Sequence, residues 1–151
     1  MSLSPIAVHE AAHAAVYCLA GRERARIVEL QFHGDSGLCR VRTRSGMKFP
    51  HAIIAGYVGE LRALHGKDWR PTPEDFAASL HLTDIADAAA LVGVEGLPRL
   101  WDSTASMIGG CAWSRIEGIA AALQEAGTLS GEDVELIWRR PGVLPPVSNM
   151  P

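Results

Sequence analysis

His9, Glu10 and His13, within "VHEAAHAAVYCLAG" at residues 8–21, have the side-chain types and spacing of a metal-dependent hydrolytic centre. Residues four apart lie one above the other on a helix face, so the two imidazoles can converge on one cation. Glu10 falls one residue round, within reach of a water on that cation without ligating it. This is the H-E-x-x-H arrangement of two zinc ligands and a general base. Zinc lowers the pKa of its bound water to about 7, and the base takes the proton as the water attacks a polarised carbonyl. The plainer reading is a pair of surface histidines beside a solvated glutamate. Against it stand Ala11, Ala12, Ala14, Ala15 and Val16, which describe a buried helix where imidazoles need partners.

A catalytic zinc keeps three protein ligands and one open position, so a third ligand must lie elsewhere. His33, His51, His65 and His81 are the remaining histidines, and Glu60, Asp84 and Asp87 are among the acids. Spacing alone does not choose between them. No H-E-x-x-H-x-x-G-x-x-H continuation exists, because Gly21 falls at the wrong offset and no histidine follows; that excludes the metzincin pattern.

The elements that must position these groups follow from periodicity and punctuation. Ser4-Pro5 starts a helix, with serine as a candidate cap, and Gly21 stops it. In residues 26–44, Val28, Leu30 and Phe32 alternate with Glu29, Gln31 and His33, and Cys39, Val41 and Thr43 alternate with Arg40 and Arg42. The turn-rich 34–37 lies between, which predicts a β-hairpin with one buried face. Helical spacing returns over about 50–64 and ends at Gly66. Thr72-Pro73 starts another helix, a further one runs from Thr83 to Gly93, and a long stretch reaches Ala126, weakened at Gly109-Gly110. A last helix follows Ser130, with Asp133 completing an approximate capping box. The expected fold is mainly α, a helical array with a small two-stranded antiparallel β-ribbon. One domain over residues 1–140 and an extended, proline-rich tail over 141–151 are expected.

At 151 residues the chain can bury a core unaided. A net charge of −3 gives no electrostatic case for nucleic acid. Cys18, Cys39 and Cys111 are odd in number and form no C-x-x-C pair, which suits reduced thiols in a cytoplasmic protein, each a small core residue. The apolar stretch 6–20 is too short and too broken to cross a membrane or serve as a signal core. The four tryptophans read as core or interface anchors. Arg40, Arg42 and Arg44 share one strand face, read as solvated rather than as a site for acidic substrate.

Taken in order, these segments resemble the zinc peptidase domain of the FtsH-type, AAA-linked proteases. Members carry H-E-x-G-H, then a β-ribbon, then a helix with an A-G-R-x-A-E-E-like signature. An Asn-Asp-[Leu/Ile] helix start follows, whose aspartate is the third zinc ligand. Here "IAVHEAAHA" occupies 6–14, "IIAGYVGELRALHG" 53–66, "LTDIADAAAL" 82–91 and "IAAALQEAGTLSGEDVELI" 119–137. The resemblance implies His9, His13 and Asp84 as ligands, Glu10 as base, and Glu60 as an acid orienting a ligand histidine, although a solvated Glu60 fits as well. Asp87, one turn on, stays as the rival third ligand, and His81 as a residue that could border the site. The resemblance also implies an edge strand able to pair with an extended peptide.

The departures are Ala12 for the motif glycine, Tyr57 for the arginine, and Thr83 for the asparagine, where threonine could still cap the helix. No Walker A sequence occurs in the 151 residues, so ATP-driven unfolding is not expected of them. The expected partners are a peptide or unfolded protein substrate and a separate ATPase, with no nucleic acid and no membrane; relatives form rings, so an oligomer is compatible. The expected function is a zinc metalloendopeptidase. The alternatives are a binding or adaptor module that keeps the fold without the chemistry, and a metal-free helical domain.

Overall fold

The structure is a computed structural model that describes residues 2–140; the tail at 141–151 lies outside the described residues. Among these residues the chain is mainly helical, with a small antiparallel sheet. Helix α1 spans Pro5–Ala20. Proline at its first turn leaves no missing donor, and Gly21, at φ +93°, ends it by donating its N–H to Tyr17 O. The Ser4 side chain makes no cap; its backbone N–H instead donates to Gln124 Oε1 at 2.7 Å, tying the helix start to the far end of the chain. Nine residues of α1 are buried, including Glu10 and His13, so its alanines pack on nearly every side rather than along one stripe.

Strands β1 (Ala25–Phe32) and β2 (Gly37–Thr43) form the expected hairpin, and β3 (Thr128–Ser130) adds a third strand on the far side of β1. Both pairings are antiparallel, and in the order β2-β1-β3 strand β2 is an edge. The expected face of β1 is half right. Leu30 is fully buried, but Val28 is 41% exposed, and Ile27 takes its place inside. The cause is a bulge: Ile27 pairs with Val41 and Glu29 with Arg40, so Val28 is an extra residue and the inward face changes parity there. The arginine face of β2 is solvated as expected, and Arg40 pairs with Glu29 at 2.6 Å.

Helix α2 (Pro50–His65) lies against α1 and is followed by α3 (Pro73–Ala78), where Thr72 and Asp75 form a complete capping box. Helix α4 (Thr83–Val92) begins with Thr83 as its first residue; Leu82 holds the cap position, so threonine does not cap it. The expected long helix is two, α5 (Leu97–Ile108) and α6 (Cys111–Ala126), broken at Gly109-Gly110, and α7 (Gly131–Arg139) closes the described chain with the Ser130 hydroxyl accepting from Asp133 N. Gly131 starts α7 so close to the carbonyl of Ile27 that a Cβ would collide with it, which seats α7 on the β1 bulge. One apolar cluster draws on all seven helices and on strands β1 and β3, with α1 at its centre.

Trp69, Trp101 and Phe76 form an edge-to-face group within it, while Trp113 and Trp138 lie under Arg62 and Arg115. Cys18 and Cys39 are half-buried, but Cys111 is exposed at the start of α6, so it is not a core residue. No helix among the described residues is long and apolar enough to cross a membrane.

Candidate metal centre

Helical periodicity brings His9 and His13 onto one face of α1, with their Nε2 atoms 3.1 Å apart. Asp84, at the start of α4, completes a triangle: its Oδ2 lies 3.6 Å from His9 Nε2 and 3.2 Å from His13 Nε2. Three ligand atoms each about 2.0–2.1 Å from a tetrahedral zinc stand about 3.3 Å from one another. The observed triangle brackets that spacing. This His9–His13–Asp84 group could hold a metal ion.

The opposite nitrogens are held from behind. His13 Nδ1 donates to the carbonyl of Ala52 on α2 at 2.6 Å, which fixes the tautomer and leaves the Nε2 lone pair facing the other ligands. His9 Nδ1 faces Glu60 Oε1 at 3.2 Å, an ion-pair contact without hydrogen-bond alignment. Tyr57, standing where the resemblance has arginine, sets its ring edge-on to His9, with centroids 4.7 Å apart.

The residue that makes the room is a glycine, outside the expected set of site residues. A Cβ on Gly56 of α2 would overlap Nε2 of both histidines, so the α2 backbone forms one wall of the cation's space. Gly59, one turn further, admits the methyl of Ala12. Ala12 therefore packs against α2 rather than into the cleft, and the cleft is not narrowed by it. Glycine inside a helix costs about 1 kcal/mol relative to alanine. Two of them three residues apart in α2 were the available signal that a close approach is being made.

Glu10 is buried and points to the same cleft, where Gly37 at the start of β2 meets it: a Cβ there would lie 2.7 Å from Glu10 Cγ. Burial pushes the Glu10 carboxyl pKa up, partly opposed by the imidazoles of His13 and His9. Burial alone would lower the His9 pKa, but the close carboxylates of Asp84 and Glu60 and the charge of Glu10 outweigh it and raise it to about 9. Asp84 has the converse balance. Burial would raise its pKa, yet its contacts with His13 and His9 hold it well below the usual carboxylate range. The two shifts have one cause, the close approach of the Asp84 carboxylate to both imidazoles.

The cleft has a volume of about 280 Å³ and is bounded by α1, by the Gly37–Cys39 end of β2, by Ile53 and by Asp84. Other candidates lie elsewhere. Asp87 lines a neighbouring recess with Lys48, outside the ligand triangle. His33 pairs with Gln31, His51 with Ser103, and His65 stacks on Trp69. His81 binds the carbonyl of Ala78 and does not line the cleft. No protein-family model matches the chain, and no curated protein matches it.

Proposed function

We propose that this chain is a zinc-dependent endopeptidase, similar in its centre to the FtsH-type peptidase domains. The observation that carries the reading is the triangle itself: a carboxylate remote in sequence closes on an H-E-x-x-H pair at zinc-ligand spacing. Two imidazoles and one carboxylate favour zinc over magnesium or calcium, which take mainly oxygen ligands. His9, His13 and Asp84 would hold the ion, and Glu60 and the Ala52 carbonyl would orient the histidines. Bound there, zinc supplies Lewis acidity: it acidifies a water and stabilises negative charge on a carbonyl oxygen.

The protein's own groups do the rest. Glu10 takes the proton of the attacking water and delivers it to the departing amine as the C–N bond breaks, so water is divided between the two new termini. Its burial suits that role, since a carboxyl lifted above its ordinary range holds a proton more readily between the two transfers. Strand β2, whose outer edge borders the cleft at Gly37–Cys39, offers backbone groups to an extended peptide. The substrates would be peptides or unfolded segments, with a separate ATPase as the partner for folded ones. The three free thiols suit a cytoplasmic setting.

Glu10→Gln is the test. It should keep one zinc per chain and lower casein hydrolysis by at least ~100-fold, the scale of a lost general base. Zinc bound by the wild type with no chelator-sensitive cleavage of any unfolded substrate would instead identify a binding module that keeps the metal.

A further inference from the structure

A second recess, of about 390 Å³, adjoins the metal cleft, and Tyr17 and Ile53 line both. Its other walls are mostly apolar: Val41, Phe49, Met47 and Leu91. Met47 and Leu91 are each 43% exposed, so two large apolar side chains stand uncovered beside the centre. The only charges on its lining are Lys48 and Asp87, of opposite sign, so neither an acidic nor a basic side chain is selected.

The strand fixes how this recess relates to a bound peptide. Cys39, Val41 and Thr43 are the half-buried side of β2, with Cys39 in the metal cleft and the other two in the recess. Two residues along a strand advance about 6.8 Å, so the recess begins one side-chain repeat from the cleft. Every pairing in this sheet is antiparallel. A peptide added to β2 in the same sense runs from Thr43 towards Gly37, and its N-terminal portion passes the recess before its carbonyl reaches Glu10.

Resting on the peptidase reading, we propose that this recess is a specificity pocket for a large apolar side chain on the N-terminal side of the scissile bond, and that Leu91 and Tyr17 help to set that preference. An aromatic or aliphatic side chain would cover the Met47 and Leu91 surface, and its burial supplies affinity that alanine lacks. Tyr17 is this pocket's dividing wall; its ring packs edge-on against Phe49 at 6.0 Å, which holds it in place.

Binding and cleavage are measured separately. Zinc-loaded Glu10→Gln protein is titrated with fluorescein-labelled ten-residue peptides of serine, threonine and alanine that carry one Phe, one Lys or neither. The Phe peptide should bind about tenfold more tightly than the all-small peptide. Leu91→Lys, a surface substitution, should erase that difference while zinc content is unchanged, and Met47→Lys should do the same. Equal binding of all three peptides, or preference for Lys, overturns the pocket. In parallel, cleavage sites in casein are mapped by mass spectrometry for the wild type. Enrichment of Phe, Leu, Met or Tyr within three residues before the cut supports the pocket, and cleavage without it overturns the pocket but leaves the peptidase reading intact. Phe-selective binding with no cleavage overturns the peptidase reading alone.

Discussion

Ala12 of α1 stands so close to Gly59 of α2 that a Cβ on the glycine would lie 2.6 Å from the alanine methyl. One methyl group fits between the helices, and this chain carries it on α1. Gly59→Ala should therefore overpack the contact and destabilise by about 1–3 kcal/mol, less the ~1 kcal/mol that alanine gains in a helix. The double variant Ala12→Gly/Gly59→Ala should recover most of the loss. Urea unfolding of the four proteins gives the coupling energy, expected to be about 1 kcal/mol or more, whereas additive changes would show that the two residues do not share one space.

Gly56 bears on function rather than on stability. Alanine there is the better helix former, and the nearest atoms the added methyl meets belong to the His9 and His13 rings. Gly56→Ala should keep the helical circular dichroism of the wild type and weaken zinc binding by more than the ~10–100-fold that loss of an outer partner costs. Competition against a calibrated chelator reads this directly. Unaltered affinity would place the cation on another side of the imidazole pair.

Metal binding should release protons. His9 is lifted to about 9 in the metal-free chain, so below that pH its imidazole carries a proton that a cation must displace. Titration calorimetry at pH 7.5 in buffers of different ionisation enthalpy should report close to one proton released per zinc, falling towards zero as pH passes 9. The same shift affects the stability of the chelator-treated protein. With the folded pKa above the unfolded 6.5, the His9 contribution is complete below pH 6.5 and lost as pH rises through about 9. Asp84 is depressed, so its contribution is present above its ordinary pKa near 3.8 and lost on acidification. Thermal melts in chelator should thus fall on the alkaline side earlier than melts with zinc.

Much of this was open to reading because it is local. Glycines and prolines punctuate the helices, and an i, i+4 histidine pair shares a face wherever a helix forms. What was hidden depends on distant partners. Nothing in the spacing of Asp84 from His9 requires contact; a family likeness, not periodicity, singled it out over Asp87. Strand β3 is three residues long, too short to show a period, and exists because β1 has a free edge. Val28 reads as buried until the bulge turns it out. Gly56 looks like a weak point in a helix until the imidazoles lie against it.

Glu60 separates a structural acid from one that serves the centre. Its Oε1 sits 3.2 Å from His9 Nδ1, with side chains of 23% and 12% exposure, so the contact is screened by little water. A carboxylate behind a ligand imidazole orients the ring and makes it a stronger donor, and such partners are worth ~10–100-fold in metal affinity. Glu60→Gln can still accept a hydrogen bond but lacks the charge, and Glu60→Ala lacks both. Zinc affinity should fall in the order Glu, Gln, Ala, with the His9 imidazolium losing its elevated pKa in the same order, followed by proton NMR of the metal-free protein. A solvated glutamate would change neither quantity, so the two readings of this residue part at a single measurement.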